Sequence, residues 1–348
     1  MERNFVLSCP IPITERKTIV MGHGSGGKLS AQLVHDLFLP AFSNEYLNKL
    51  DDQAVFQAGG ARLAFTTDSF VVTPLFFPGG DIGQLAVNGT VNDLAMSGAK
   101  PLFLSAAFIM EEGFAMEDLT RVVASMARAA GRAGVSIVTG DTKVVNRGSA
   151  DQLFITTSGV GLVPDGVAIS ASNAREGDVI LVSGSIADHG MAVMSVREGL
   201  EFEGGILSDT APLGSLVADM LRAGEVHALR DPTRGGLATS LCEIASASSM
   251  GIEIDATKVL VREDVKGACE ILGLDPMFVA NEGKLVAFVP QRSADDVLAA
   301  MRSSPDGKAA RAIGRVVENH PGMVVLKTEI GSTRVIDLPF SEHLPRIC

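Results

Sequence analysis

Residues 81–110 carry the stretch DIGQLAVNGTVNDLAMSGAKPLFLSAAFIM, whose two halves have different patterns. Residues 81–97 have the apolar spacing of a helix, and Gly98 follows where glycine commonly ends one. Residues 102–110 form an apolar run typical of a buried strand. A helix that leads directly into a buried strand predicts a layered fold, in which helices cover a sheet.

The alternation of strands and helices continues on both sides of this stretch. Strands are predicted at residues 62–67, 135–139 and 153–163, and a helix at residues 116–132. Together these elements predict a mixed α/β domain over residues 42–165.

A second unit follows the turn sequence Pro164-Asp165-Gly166. Strands and helices alternate again, which predicts a second mixed domain over residues 174–334. The helices predicted there are 189–197, 213–223, 237–247, 265–272 and 294–301. Residues 1–41 are predicted to form an arm and a glycine-rich loop, and residues 335–348, with two prolines, a flexible tail. The predicted fold class is therefore α+β, with two mixed α/β domains and a mobile tail.

Composition excludes several functional classes. The formal net charge is −12, and an acidic surface repels nucleic-acid phosphates, so no nucleic-acid partner is expected. The longest apolar run, residues 101–110, falls short of the ~18–20 residues that a membrane helix needs. No membrane partner is expected, and the predicted location is cytoplasmic. The four cysteines form no CxxC pair, so no structural zinc site is predicted.

The glycine-rich loop of residues 22–28 has the sequence GHGSGGK and matches most of a P-loop. Leu29 stands where a P-loop has the Ser or Thr that binds magnesium, which argues against a P-loop NTPase. Glycines still allow backbone N–H groups to approach a phosphate closely, whereas the alternative is a flexible hinge. The candidate phosphate contacts are Gly24, Gly26, Gly27 and Lys28.

Acidic residues are frequent at the predicted element ends of the first domain. Asp68 and Asp141 each follow a predicted apolar strand, and these carboxylates would share one sheet edge if the two strands were neighbours. Clustered carboxylates favour Mg²⁺-nucleotide binding, although each one singly is typical of a helix cap or turn. The set is Asp51, Asp52, Asp68, Asp93 and Asp141.

Three further features are ambiguous when each is taken alone. Glu282, in the sequence Asn281-Glu282-Gly283-Lys284, stands at a strand entry where an acidic residue is usually just solvated. Residues 229–236, LRDPTRGG, are typical of a helix start that is capped by Asp231 or Thr233. Cys348 is the last residue, so its thiol is either an exposed accident or a mobile reactive group.

Taken together, the motifs resemble one superfamily over about residues 18–348. It comprises aminoimidazole ribonucleotide (AIR) synthetase, selenophosphate synthetase, thiamine-phosphate kinase and the hydrogenase maturation factors of the HypE family. The HypE family in particular is indicated by the order of GHGSGGK, LDDQAVF, TTDSFVVTPLFFPGGDIG, VNGTVNDLAMSGAKP, IVTGDTKVV, SGSIADHGMAVM, RDPTRGGLA, VANEGKL and the ending PRIC. The loop has His23 and Ser25 where selenophosphate synthetases carry a reactive Cys or selenocysteine, which counts against that activity.

The resemblance implies a two-domain subunit that forms a homodimer through its first domain and binds ATP and Mg²⁺. Asp68, Asp93 and Asp141 would contact the nucleotide, and the metal contacts would be Asp51, Asp52, Asp68, Asp93 and Asp141. Cys348 would carry a carbamoyl group, and Glu282 and Lys143 would act in its dehydration. The implied partners are the carbamoyltransferase HypF and the HypC–HypD complex.

In the implied reaction, ATP phosphorylates the carbamoyl oxygen and a base removes the nitrogen protons, which leaves a thiocyanate on Cys348. This nitrile would supply the cyanide ligand of the [NiFe]-hydrogenase iron. Glu282 is the candidate base, and Lys143 would steer phosphate or share in proton transfer. Two alternatives remain: a ligase or kinase of the same superfamily acting on a diffusible substrate, and a nucleotide-dependent assembly scaffold.

Overall fold

The computed structural model describes residues 18–202, 205–339 and 346–348. Most of the predicted N-terminal arm (residues 1–17) and part of the predicted tail (residues 340–345) lie outside these ranges. Two sheets, one of five strands and one of seven, form the centres of two mixed units. The α+β fold class predicted from the sequence is confirmed. Among the described helices, none has the length and apolarity that crossing a membrane requires.

The chain enters the first unit through α1 (Lys28–Leu33), a wider π-type turn (Val34–Phe38) and α2 (Leu39–Phe42). The sequence predicts one helix from residue 29 to about residue 39, ended by Pro40. That end is wrong, because helical structure continues to Phe42. Pro40 lies in the first turn of α2 and has no backbone N–H to donate. The wider turn directly before it lets the chain stay helical without that hydrogen bond.

The first sheet has the order β1-β2-β7-β5-β6, in which only the β5–β6 pair is parallel among the described strands. A small pair, β3–β4, precedes the first long helix. The bounds are β1 Ala54–Ala58, β2 Ala61–Phe70, β3 Phe76–Phe77, β4 Gly80–Asp81, β5 Lys100–Glu111, β6 Ser136–Val145 and β7 Leu153–Leu162.

Helices α3 (Ile82–Met96) and α4 (Met116–Ala133) cover one face of this sheet. The Asp81 carboxylate caps α3 by accepting from the backbone N–H groups of Gly83 and Gln84. Nearly every residue of α3 is buried, because the helix also faces the second unit. The helix and strand predicted from residues 81–110 are therefore confirmed.

The second sheet has the order β14-β13-β10-β12-β8-β11-β9. Its strands are β8 Val179–Val182, β9 Ala228–Arg230, β10 Gly251–Asp255, β11 Val286–Val289, β12 Arg311–Val317, β13 Val324–Lys327 and β14 Thr333–Ile336. The helices around it are α5 Asp188–Arg197, α6 Gly214–Ala223, α7 Gly236–Ser248, α8 Glu263–Leu272 and α9 Gln291–Ser303. All five helices predicted for this unit are present.

The sequence analysis missed the two-residue strands β3 and β4 and the edge strands β1, β9 and β14, and several predicted strands, β2 and β6 among them, are longer than predicted. β1, β9 and β14 are short and lie at sheet edges, where periodicity is weak. β14 includes Val335 and Ile336, which the sequence assigns to the tail. β2 and β6 continue past Asp68 and Asp141, so neither aspartate follows its strand as predicted.

Two buried asparagines of α3 connect the two units. Asn88 Nδ2 donates to Thr210 Oγ1 at 3.1 Å. Asn92 accepts from the backbone N–H of Leu213 at 2.8 Å and donates to Ala211 O at 3.0 Å. Because these groups have no access to water, the asparagines fix α3 against the segment 210–213.

Asn92→Ala is expected to lower the free energy of unfolding by about 2–3 kcal/mol, because it leaves a buried N–H and a buried carbonyl without partners. Urea denaturation measures this change. Asn319→Ala, at an exposed position, is the matched control and should change stability little. An equal loss in both variants would contradict the role of Asn92.

Candidate active site

Five carboxylates from both units come together beside α3. Asp52 precedes β1, Asp68 is in β2, Asp93 is on α3, Asp231 follows β9 and Glu282 precedes β11. We call these five residues the acidic cluster. Their mutual repulsion acts through a poorly solvated region, so the cluster is costly unless cations balance it.

The pKa values within the cluster show this cost. Burial raises the pKa of Asp93 well above its usual value, and the charges of Asp231, Asp68 and Asp52 raise it further. Burial likewise raises the pKa of Asp52, against the opposing effect of Arg230. Burial raises the pKa of Asp231 to about 6. A bound cation would relieve this repulsion.

Glu282 has the environment of a general base. Its side chain is 3 % exposed, and its Oε1 has no hydrogen-bond partner among the described residues. Burial raises its pKa well above the usual value, and the nearby Asp231 and Asp68 charges add to the effect. A carboxylate with a raised pKa holds an abstracted proton more firmly, as proton removal from a weakly acidic group requires.

Two arginines of the segment 229–236 balance the cluster. Arg230 Nε lies 3.1 Å from Asp52 Oδ1, and its Nη2 lies 2.6 Å from Glu243 Oε2. Arg234 donates to Gly24 O at 3.2 Å. The charge of Cys348 raises the pKa of Arg234 most, against the lowering effect of burial, and Asp68 and Glu282 also raise it. Arg234 therefore connects the glycine-rich loop, the acidic cluster and the end of the chain.

The glycine-rich loop lies beside this arginine. Gly26 has φ +76°, and a Cβ there would come within 3.0 Å of Arg234 O. A Cβ on Gly27 would come within 2.4 Å of Pro339 O. Both approaches require glycine. Lys28 Nζ instead pairs with Asp337 Oδ2 at 2.6 Å, so here it contacts the start of the tail and not the acidic cluster.

Asp51 is bonded to the segment 170–171, and its role as a metal contact stays a prediction. Its carboxylate accepts from Ser170 Oγ at 2.8 Å and from the backbone N–H of Ala171 at 2.9 Å. It lines a separate cavity of about 330 Å³. Its geometry is that of a side chain that holds a loop.

Asp141 and Lys143 are not brought to the acidic cluster of their own chain, because β2 and β6 are not neighbours. β7 and β5 separate them, so Asp68 and Asp141 lie about 14 Å apart at ordinary strand spacing. The register pairs Asp141 with Ala107, on the outer face of the sheet, whereas Asp68 faces α3. Lys143 Nζ pairs with Asp141 Oδ2 at 3.0 Å, and both are exposed.

The side chains do not form a ready-made metal cage. In the described part of the chain, no three His, Cys, Asp or Glu side chains converge tightly enough to hold an ion by themselves. Mg²⁺ commonly binds one or two carboxylates together with substrate phosphates and water. Burial raises the pKa of both Asp68 and Asp93, and neighbouring carboxylates raise that of Asp93 further, so a cation bound between them would favour their charged forms.

The chain terminus is docked in this region. A terminal oxygen of Cys348 accepts from the Val71 backbone N–H at 3.0 Å. Ile347 is 3 % exposed within a core cluster to which both units contribute. Cys348 is half-buried, whereas burial raises the pKa of Cys242 to about 12 and that of Cys269 to about 11. Cys348 is thus distinct in position from the other described cysteines.

Sequence reasoning missed Asp231 as a member of the acidic cluster. The sequence favours Asp231 or Thr233 as the cap of α7, but Gly235 occupies that position without a side-chain cap bond. The sequence did contain a signal for this role, because residues 229–236 carry two arginines near Asp231, and a helix cap requires neither. His189, whose Nε2 lies 2.9 Å from Ile347 O near the chain terminus, was also missed as a functional residue. A single histidine in a helical pattern gives no indication of what it faces.

Comparison with known proteins matches most of the chain. Residues 50–163 match the AIR synthase related protein N-terminal domain, and residues 175–327 match the corresponding C-terminal domain. The carbamoyl dehydratase HypE of Cupriavidus necator is 56 % identical over 332 residues, covering 95 % of each chain.

Two solved structures are also similar. A HypE–HypF complex has a chain of 52 % identity with a TM-score of 0.84, covering 88 % of this chain and 99 % of that one. The hydrogenase maturation protein HypE in complex with ATP has 49 % identity and a TM-score of 0.81, covering 95 % of this chain and 100 % of that one.

Asp231→Asn is expected to make the protein without metal or nucleotide relatively more stable as the pH rises. The pKa of Asp231 is raised from 3.8 to about 6 in the folded state, so the protonated side chain stabilises the folded protein at acid pH. This contribution is lost as the pH rises through about 6. Relative to the parent protein, the variant should gain about 2–3 kcal/mol between pH 4 and pH 7. Urea denaturation at the two pH values, with exposed Asp165→Asn as control, measures this gain; a pH-independent difference would contradict it.

Proposed function

Because the chain belongs to the HypE family of carbamoyl dehydratases, among the AIR synthase related proteins, we propose that it uses ATP to dehydrate a carbamoyl group on its own Cys348. The product is a thiocyanate, from which the cyanide ligand of a [NiFe]-hydrogenase iron is supplied. The family assignment agrees with the resemblance inferred from the motifs. The observation that carries the proposal is the docking of Cys348 beside Arg234 and the acidic cluster.

ATP is the proposed co-substrate, since a relative that matches 95 % of this chain was solved in complex with ATP. Arg234, which donates to Gly24 O of the glycine-rich loop and interacts with Asp68 and Glu282, offers a positive charge to phosphates near the acidic cluster. Asp68 and Asp93 would hold Mg²⁺ together with those phosphates, and this ion would neutralise charge on the transferred group.

In the first step, the carbamoyl oxygen on Cys348 attacks the γ-phosphorus of ATP. The bond between that phosphorus and its bridging oxygen to the β-phosphate breaks, and ADP leaves. The carbamoyl nitrogen gives one proton to solvent water, so the sulfur carries S–C(OPO₃²⁻)=NH and Glu282 stays unprotonated for the next step. The chain's contribution is to position the oxygen in line with the phosphate and to place Arg234 near the developing charge.

In the second step, Glu282 removes the remaining proton from nitrogen. The C–O bond breaks, phosphate departs and S–C≡N remains on Cys348. Glu282 is suited to this role by its burial, its raised pKa and its unpartnered Oε1. Asp209 fixes the Glu282 backbone, because its Oδ1 accepts from the Glu282 N–H at 3.0 Å.

A homodimer is proposed because the outer face of the first sheet is apolar and uncovered. β6 is exposed along nearly its whole length. An exposed strand edge and an exposed apolar face are both stabilised by contact with another protein surface. A second copy of the chain provides a complementary surface through two-fold symmetry. The exposed apolar residues on this face include Phe65, Phe103 and Ile109.

The second copy would also supply Lys143. Within one chain, Lys143 projects from the face of the sheet opposite to Asp68. In a dimer formed through this sheet, Lys143 of one subunit would have to contact phosphate beyond the edge of the other subunit's sheet, because Asp68 and Asp93 lie on its α3 side. Asp141 would accompany it, because the two side chains form an ion pair.

HypF is the proposed partner that loads the carbamoyl group, since a similar protein was solved as a HypE–HypF complex. The HypC–HypD complex is proposed as the acceptor of the nitrile carbon and nitrogen. Both exchanges require Cys348 to leave the cleft. A short terminal segment held by hydrogen bonds can do so without unfolding either domain.

Carbamoylated protein incubated with Mg²⁺ and ATP is expected to lose the mass of one water from the peptide that contains Cys348. Glu282→Gln should bind ATP but retain the carbamoyl group, because the amide cannot accept the nitrogen proton. Peptide mass spectrometry measures both outcomes, with Glu329→Gln, at an exposed position away from the acidic cluster, as the matched control. Turnover of ATP with an unchanged carbamoyl mass would overturn the dehydratase proposal.

Mixing Lys143→Met and Glu282→Gln subunits is expected to restore activity that neither variant has alone. Each mixed dimer has one site with both residues intact, so random mixing should recover roughly a quarter of the parent sites. The product should appear on the Lys143→Met chains, whose Glu282 is intact. No recovery in mixed dimers, or full activity of the Lys143→Met homodimer, would contradict a Lys143 supplied by the second copy.

A further inference from the structure

We propose that His189, Arg197 and the backbone of Val71 and Thr73 form a tail clamp that recognises the last three residues of the chain and fixes where Cys348 lies. His189 and Arg197 are its positioning residues. The proposal deepens the proposed function and rests on it for the catalytic meaning of Cys348. The clamp itself is a binding site for a C-terminal tripeptide, and it can be tested without any dehydration.

The backbone pairing has the register of an added antiparallel strand. The Val71 N–H donates to a terminal oxygen of Cys348 at 3.0 Å, and the Thr73 N–H donates to Arg346 O at 3.3 Å. Alternate residues of one segment thus pair with alternate residues of the other in opposite directions. Because residues 71–73 directly follow β2, which carries Asp68, the pairing fixes the tail relative to the acidic cluster.

His189 contacts the carbonyl of Ile347, which lies between the two residues that pair through their backbones. Its ring is fully buried, and Nε2 lies 2.9 Å from Ile347 O. A carbonyl can only accept, so Nε2 carries the proton, and Nδ1 accepts from Ser208 Oγ at 2.8 Å. Burial lowers the pKa of His189, which favours this neutral form. Phe77 packs edge-on against the ring with 5.4 Å between centroids, so the imidazole has one orientation.

Arg197, at the end of α5, binds the backbone carbonyl of Arg346, the residue before Ile347. Its Nη2 donates to Arg346 O at 2.7 Å and to Thr73 O at 2.6 Å, so one guanidinium bridges the tail and the segment that pairs with it. The Arg346 side chain in turn contacts Thr73 Oγ1 and Asp151. All three terminal main-chain positions therefore have donors from the body of the protein.

Ile347 provides the apolar anchor of the tripeptide. Its side chain is 3 % exposed and belongs to a core cluster with Met191 and Ala192 of α5. A side chain buried between two hydrogen-bonded neighbours sets the depth to which a peptide enters its site. The clamp thus selects an apolar penultimate residue and presents the following cysteine at the acidic cluster.

The test compares how fast iodoacetamide alkylates each cysteine in the full-length, uncarbamoylated protein, resolved by peptide mass spectrometry. His189→Leu, Arg197→Gln and Ile347→Ala should each speed alkylation of Cys348 about tenfold, since each removes a contact that keeps it docked. His189→Gln retains an N–H near the position of Nε2 and should restore most of the protection. Cys242 and Cys269 serve as internal references, because a loosened body would speed their alkylation too.

His35→Leu and Arg132→Gln, both at exposed positions, are the matched controls and should leave the Cys348 rate unchanged. In carbamoylated protein, the clamp variants should slow loss of water in proportion to the loss of docking. If Cys348 remains as protected in all three variants as in the parent protein, the clamp is wrong, whatever the dehydration assay shows. If protection falls as expected but no variant or parent loses water, the clamp stands and the proposed function fails.

Discussion

The concentration of buried carboxylates beside α3 is the constraint on which the rest of the site depends. Asp52, Asp93, Asp231 and Glu282 come from separate parts of the chain, and burial raises the pKa of each one. Folding alone gains nothing from this repulsion. The two arginines of the segment 229–236 balance part of it, and a bound cation with its nucleotide would balance the rest. The fold therefore maintains a binding site at a cost to its own stability.

The second unit completes this site with mobile and rigid parts. Glu282 is rigid, since its backbone is held by Asp209 and the preceding Asn281 is bonded to Pro232 O. Cys348 is held by hydrogen bonds and one buried side chain, which a partner protein can replace. This division suits a reaction in which the substrate belongs to the enzyme and must travel between partners.

Local sequence patterns were sufficient to predict most of the fold. The helix and strand of residues 81–110, and the five helices of the second unit, follow from apolar spacing and glycine stops. The edge strands β1, β9 and β14 were missed because strands of 5, 3 and 4 residues are too short to show a clear alternation. Glu282, Asp68 and Asp93 were predicted from element ends and motif resemblance. The condition under which Asp68 and Asp141 would share one sheet edge is not met, because their strands are not neighbours and strand order is a non-local property. The roles of Asp231 and His189 depend on what lies opposite them, which no local pattern records.

The most direct test is a crystal structure of the Cys348-carbamoylated protein with Mg²⁺ and a nonhydrolysable ATP analogue. The account predicts the carbamoyl oxygen within about 3–3.5 Å of the γ-phosphorus, with the Glu282 carboxylate within hydrogen-bond reach of the carbamoyl nitrogen. A fully occupied nucleotide site with the docked carbamoyl group out of reach of that phosphorus would contradict it.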